Sequence, residues 1–149
     1  MLAATATTLA DLCSLSYSQL DDLFRTLPAG DIPDGDSRGT TLFFPGTALQ
    51  RPIAALVRWL AWQGKVFHAR EGYLLNKILP FGVRAVRAKV YAAKSWFDGQ
   101  DCIVLDYSKT SWLAWFVRDE IRQVGPGLLL GKVFVGKAQL IHFVIQFAA

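Results

Sequence analysis

Leu128-Leu129-Leu130-Gly131-Lys132-Val133-Phe134-Val135, then Gly136-Lys137, then Gln139-Leu140-Ile141-His142-Phe143-Val144-Ile145-Gln146-Phe147, is the stretch that decides the fold. Two runs rich in β-branched and aromatic residues flank a short glycine-led connector, the pattern of an antiparallel hairpin. Successive side chains of a strand point to opposite faces. Ile141, Phe143, Ile145 and Phe147 therefore share one face, expected to point inward, and Leu140, His142, Val144 and Gln146 share the other.

Working back from the hairpin, the same grammar recurs. Strands are expected near Trp115–Val124, Cys102–Tyr107, Arg84–Ala92, Tyr73–Leu79, Lys65–Arg70 and Thr40–Phe44. Gly125-Pro126-Gly127, Asp98-Gly99-Gln100, Pro80-Phe81-Gly82 and Glu71-Gly72 separate them. Eight short strands at this spacing make a mainly β chain, and a consecutive antiparallel meander of eight closes into a barrel. Two short helices are expected beside it. Ser18-Gln19-Leu20-Asp21 has the form of a capping box, followed by Leu20, Leu23, Phe24 and Leu27 on one face and stopped at Pro28-Ala29-Gly30. The residues up to Ser16 look loose, and Asp31 to Gly39 reads as a turn-rich acidic loop. The second helix opens at Pro52 and runs to about Trp62, apolar nearly all round, with Trp59 and Trp62 either packed in the core or capping a barrel mouth.

The 149 residues suit a single domain. Hydrophobic residues make up 52% and charged residues 19%, which excludes disorder, a coiled coil and a collagen-like chain. The net charge of +4 is uneven: −4 over residues 1–50, +8 over 51–94 and 0 over 95–149. The nine basic residues of the middle segment, Lys65 among them, stand singly between apolar residues, as solvated charges do. Weak contact with an anionic membrane surface is the alternative use of that charge. Nucleic acid is not an expected partner, because the aromatic residues lie in apolar runs instead of between basic ones. Cys13 and Cys102 make no disulfide framework, and the N-terminus lacks the basic start of a secretory signal, so a cytoplasmic location is expected. No apolar run is long enough for a membrane-spanning helix. His68 and His142 are far apart with no clustered ligands; no metal or other cofactor is expected, and each reads as a half-exposed strand residue. Phosphate-binding and dinucleotide-binding glycine patterns are absent.

The strand faces supply the candidate site. In Trp115–Val124, one face carries Trp115, Val117, Asp119 and Ile121; the other carries Phe116, Arg118, Glu120 and Arg122, which reads as the solvent face. Asp119 is thus left on the apolar side. Asn76 lies between Leu74 and Ile78, and Val86, Ala88 and Val90 share a face. A buried carboxylate must be paired, protonated or set beside a ligand. Asp119 is accordingly either a partner of a basic residue or backbone amides, or a polar anchor and general acid/base in an apolar pocket. Asp106 is either a turn cap or a second acid at the pocket mouth. The ligand-lining candidates are Asn76, Tyr91, Trp115, Val117, Ile121, Phe143, Ile145, Trp59 and Trp62.

Asp98-Gly99-Gln100-Asp101-Cys102-Ile103-Val104-Leu105-Asp106-Tyr107-Ser108, Arg118-Asp119-Glu120-Ile121-Arg122, Pro126-Gly127-Leu128 and Leu130-Gly131-Lys132-Val133 resemble a family of small lipocalin-like proteins with the pattern FDGxxxIVLDYS … RDEIR … PGLxLGxV. Trp62-Gln63-Gly64-Lys65 is also faintly similar to domains named for a Gly-x-Trp-x-Gly signature, with Leu60 where the first glycine would be. The resemblance implies a lipocalin-like barrel and transfers no catalytic residue.

The expected function is binding of a hydrophobic small molecule, such as a lipid, isoprenoid or polyketide-like compound, inside the barrel. The first alternative is a cofactor-independent isomerase or cyclase, pericyclase-like, acting on such a ligand with a buried Asp as acid/base. The second is a peripheral membrane or partner-binding protein.

Overall fold

The computed structural model describes residues 7–42, 62–78, 83–110 and 115–148. Two short helices, α1 (Leu9–Cys13) and α2 (Tyr17–Thr26), precede eight strands: β1 (Gly35–Leu42), β2 (Trp62–His68), β3 (Tyr73–Ile78), β4 (Val83–Lys94), β5 (Asp101–Asp106), β6 (Val117–Gly125), β7 (Leu128–Val135) and β8 (Ala138–Phe147). Each strand pairs antiparallel with its sequence neighbours, and β8 returns to β1, closing a mainly β, lipocalin-like barrel. Closure removes exposed edges, and eight strands enclose room for packed side chains or one small ligand. Among the described residues no helix is long and apolar enough to cross a membrane.

The N-terminal third departs from expectation. The residues before Ser16 are not loose from Thr8 onward: Thr8 and Asp11 cap α1 reciprocally, and Leu12 is fully buried. The box that opens α2 is Ser16 with Gln19, two residues earlier than expected, because Ser16-Tyr17-Ser18-Gln19 also satisfies the spacing. β1 begins at Gly35, inside the stretch read as a loop. Its ladder to β8, from Ser37↔Phe147 to Leu42↔His142, pairs backbone groups and overrides the local turn signals of Asp34-Gly35-Asp36. Gly64, at φ +146°, lets β1 approach β2, since a Cβ there would strike the Ser37 carbonyl. The helix expected from Pro52 lies outside the described residues, except that Trp62 begins a strand.

Two apolar clusters flank the wall. The inner one gathers Phe67, Leu74, Ala88, Val90, Ile103, Leu105, Tyr107, Ile121, Leu129, Phe143 and Ile145. The outer one seats Leu12, Leu20 and Phe24 of the helices on Leu42, Leu128, Leu130 and Val144. The helices thus cover part of the barrel's outside, which corrects the expected solvent face of β6. Glu120 and Arg122 are fully buried. The Arg122 guanidinium donates to both Asp98 carboxylate oxygens at 2.7 Å and to the Phe24 carbonyl at 2.8 Å, and it stacks on the Phe24 ring. Glu120 accepts from Ser95 Oγ at 2.5 Å, from the Trp96 amide at 2.8 Å and from Arg118. Alternation finds the outward side of a strand, but it cannot tell water from a second layer that brings its own polar partners.

Candidate functional site

Four polar side chains converge inside the barrel. β2 and β3 set Lys65 opposite Asn76, β6 contributes Asp119 opposite Leu105 of β5, and Tyr107 follows the last residue of β5. Asn76 lies two residues before the end of β3 and Asp119 is the third residue of β6. The cluster therefore sits towards the barrel end where β3 and β5 finish and β4 and β6 begin. All four are buried, none more than 6% exposed. Their neighbours are apolar, with Phe143 holding its ring 5.4 Å from the Lys65 ammonium.

The hydrogen bonds can be counted donor by donor. Lys65 Nζ donates to Asn76 Oδ1 at 2.8 Å, to the Tyr107 hydroxyl at 2.8 Å and to Asp119 Oδ2 at 3.1 Å. Asn76 Nδ2 donates to the Val86 carbonyl at 2.8 Å and to the Tyr107 hydroxyl at 3.0 Å. The Tyr107 oxygen thus accepts two short bonds, while its own proton meets only Asn76 Oδ1 and Asp119 Oδ2, each at 3.4 Å. Asp119 Oδ1 is buried with no hydrogen-bond partner among the described residues.

The Val86 carbonyl is placed by an irregular backbone. Leu75 pairs with Arg87 and Asn76 with Ala85, so Val86 is an extra residue in β4, and its φ is +55°. A β-branched residue in the left-handed region is an outlier that persists only where its surroundings impose it. Here the bulge turns a backbone acceptor onto Asn76.

Burial and charge set the protonation. Burial pushes the Asp119 carboxyl upward, against the opposing pull of Lys65 and Tyr107. Burial likewise pushes up the Tyr107 phenol, with Lys65 pulling it back. Burial draws the Lys65 ammonium down, but Tyr107 and Asp119 outweigh it and the net shift is upward, so Lys65 remains the cation of the group.

Of the expected site residues, Asp119 and Asn76 belong to this cluster, and Ile121, Phe143 and Ile145 to the apolar interior; Val117, half-buried, packs against it. Two expected residues lie elsewhere because register places them on the outer face. Asp106 faces out, accepting from the Tyr91 hydroxyl at 2.8 Å and the Ser108 amide at 2.9 Å. Burial opposes its ionisation, but the Ser108 and Tyr91 bonds prevail and hold its carboxyl below the usual range, so it is a turn cap and not a pocket acid. Tyr91 lines an outer cleft of about 570 Å³ with Glu71, Tyr73, Arg87, Lys89 and Thr110. Trp115 is 62% exposed, because β6 begins only at Val117 and Trp115 sits in the preceding turn. Trp59 and the side chain of Trp62 lie outside the described residues.

Sequence reasoning missed Lys65 and Tyr107. Lys65, read as a solvated charge, alternates with Phe67 and so shares its inward face. A lysine beside an asparagine and an aspartate on inward faces was the available signal. His142 was also misplaced: it is fully buried, on the outer face beneath α2, where Tyr17, Asp21, Lys132 and Gln139 surround it. Among the described residues no group of three or more His, Cys, Asp or Glu side chains is placed to hold a metal.

No protein-family model matches the chain, and no curated protein matches it. A solved structure, the crystal structure of a protein from Thermomonospora curvata, resembles it with a TM-score of 0.67 at 16% identity, over 91% of this chain and 89% of that chain. At that identity the likeness establishes the barrel fold, shared over nearly the whole length of both chains.

Proposed function

We propose that the barrel holds a hydrophobic small molecule, with its apolar body among the inward aliphatic and aromatic side chains and a polar head at Tyr107 and Asp119. One observation carries the reading. In an otherwise apolar interior, a buried carboxylate oxygen has no partner among the described residues and the neighbouring phenolic proton has only long contacts to them, although every donor of Asn76 is well placed. Buried polar groups are ordinarily satisfied, and one left over marks a place where a ligand or water completes the bonding. The barrel architecture supports the reading, since eight strands are wide enough for one small guest.

Native mass spectrometry of the full chain, purified without detergent, is expected to show an adduct above the 16.5 kDa chain that denaturation removes. Anilinonaphthalene sulfonate is expected to bind saturably at one site, and Val117→Trp, which adds bulk beside the cluster, is expected to weaken that binding at least tenfold. Absence of both an adduct and saturable dye binding would overturn the reading.

A further inference from the structure

We infer that Asp119 and Tyr107 form a proton-transfer pair for an enolisable hydrophobic carbonyl compound, with Asp119 Oδ1 as the base and the Tyr107 hydroxyl as the hydrogen-bond donor to the carbonyl oxygen. The inference rests on the proposed occupancy of the barrel and deepens it by naming the substrate class and the reaction.

The bonding leaves these two atoms, and no others of the four side chains, in surplus. Asn76 spends both amide protons and its oxygen within 3.0 Å. Lys65 directs its ammonium at three oxygens. The Tyr107 oxygen accepts from a cation and an amide, which polarises its O–H bond and turns the proton away from both donors. Asp119 Oδ2 accepts from Lys65, so the uncommitted basic lone pairs of the carboxylate are on Oδ1. The phenol and the carboxyl lie side by side, the Tyr107 oxygen 3.4 Å from Asp119 Oδ2. A donor next to a base is the arrangement that a carbonyl oxygen and the hydrogen on its α-carbon require.

The step balances without a further reagent. Asp119 carboxylate takes the α-proton; the C–H electron pair becomes the new C=C π bond, and the carbonyl π pair moves to oxygen, where the Tyr107 proton hydrogen-bonds it. The Asp119 carboxylic acid then returns the proton, either to the same carbon or, in a β,γ-unsaturated carbonyl compound, to the γ-carbon, which shifts the double bond into conjugation. The burial that raises the Asp119 carboxyl brings its basicity closer to neutral pH, where a general base is most effective.

The test uses the full-length chain with three probes: 2-naphthol, which mimics the enol; 2-methylnaphthalene, which lacks the hydroxyl; and 2-tetralone, which is enolisable. 2-Naphthol is expected to bind at least tenfold more tightly than 2-methylnaphthalene, and Tyr107→Phe is expected to abolish that preference. In deuterated water, the wild type is expected to exchange the α-hydrogens of 2-tetralone at least a hundredfold faster than heat-denatured protein does, with a rate that rises with pH as Asp119 ionises. Asp119→Asn is expected to bind 2-naphthol yet return exchange to the control rate. Should Asp119→Asn fail to fold, Tyr107→Phe and the wild-type pH profile decide the matter. Saturable binding of 2-tetralone with exchange at the control rate overturns the proton-transfer role and leaves the binding reading standing. Failure of all three probes to bind overturns both.

Discussion

The barrel buries a lysine against a carboxylate twice, once on each side of its wall. Inside, Lys65 meets Asp119 at 3.1 Å among groups supplied by β2, β3, β6 and the residue after β5. Outside, Lys132 of β7 meets Asp21 of α2, and the same Asp21 oxygen takes His142 Nε2 at 2.8 Å and Gln139 Nε2 at 2.8 Å. The environments push the two lysines in opposite directions. Burial draws the Lys132 ammonium down more than Asp21 restores it, whereas Lys65 is held up by Tyr107 and Asp119. The outer group clamps a helix to the sheet: donors from two strands converge on one oxygen of α2. The inner group clamps nothing of that kind and ends with a free carboxylate oxygen. Burial of charge, common to both, therefore does not identify a site; what each charge is left able to bond does.

The largest effect that would break the comparison is expected from removing the cations in turn. Lys65→Met strands a buried carboxylate and is expected to cost about 3–5 kcal/mol, the usual range for breaking a buried pair. Lys132→Met is expected to cost less, about 1–2 kcal/mol, because the Asp21 carboxylate is 17% exposed and keeps Gln139 and His142. Urea denaturation at pH 7 checks both. Equal costs would mean that the inner cluster is hydrated like the outer one. Adding Asp119→Leu to Lys65→Met is expected to restore most of the lost stability while leaving 2-tetralone exchange at the control rate.

Acid should then find the outer group. Burial, reinforced by Lys132 3.2 Å away, holds the His142 imidazole down at about 4 from an ordinary 6.5, and Asp21 only partly offsets this. Protonation would add a second cation beside Lys132 and give the buried Nδ1 a proton with no acceptor among the described residues. Between pH 6.5 and 4 the unfolded chain binds this proton and the folded chain does not, so stability falls as pH falls through that window. At roughly 1.4 kcal/mol per unit, the loss approaches about 3 kcal/mol. Denaturation midpoints from pH 7 to 4 should show it, and His142→Gln, which can still donate to Asp21, should flatten the curve. A wild-type curve already flat over this range would sink the clamp reading.

The contrast between the two sides also explains what the sequence could tell. Ile141, Phe143, Ile145 and Phe147 alternate against a polar-spiced partner face, and that period alone places β8 and, with its turn, β7. Asp119 and Asn76 were legible because a carboxylate and an amide stood on faces otherwise apolar. Lys65 was not, since β2 carries buried apolar residues on both faces, Val66 as well as Phe67, and the local pattern does not say which of them a lysine joins inside the barrel. Glu120, Arg122 and His142 were misread together for one reason. The segments that cover them lie elsewhere in the sequence, and the partners they bring, Ser95 and the Trp96 amide for Glu120, Asp98 and the Phe24 carbonyl for Arg122 and Asp21 for His142, carry no signal in the strands themselves. Tyr107 closes the expected strand Cys102–Tyr107 on the face of Ile103 and Leu105, so its direction was legible, but nothing local names Lys65 and Asn76, the groups its hydroxyl meets.

A smaller effect is expected at Gly131, which faces in and pairs with Phe143 across β7 and β8. The Phe143 ring lies over the bare glycine, so a methyl group there would overlap it. Phe143 also packs 5.4 Å from the Lys65 ammonium, so displacement of its ring disturbs the cluster. Gly131→Ala is expected to destabilise by about 2 kcal/mol, within the usual cost of overpacking a core, and to weaken anilinonaphthalene sulfonate binding. A substitution on the opposite face of the same strand should leave dye binding alone, and loss of binding there would erase the distinction between inside and outside.

The smallest effect is expected at Val86, where two terms oppose. Its φ of +55° costs a β-branched residue on the order of 1–3 kcal/mol, which glycine would not incur. Its side chain packs partly against the inner cluster, and deleting it forfeits a similar amount. Val86→Gly is therefore expected to change stability by less than about 1 kcal/mol, far below the loss for a valine of ordinary backbone geometry at comparable burial. The informative readout is the site. If the strained bulge is what aims the Val86 carbonyl at Asn76, the added freedom of glycine should loosen Asn76 and, through it, the two short bonds on the Tyr107 oxygen. A fall in the preference for 2-naphthol over 2-methylnaphthalene, at nearly unchanged stability, is the expected signature, and an unchanged preference would show that the bulge serves the wall alone.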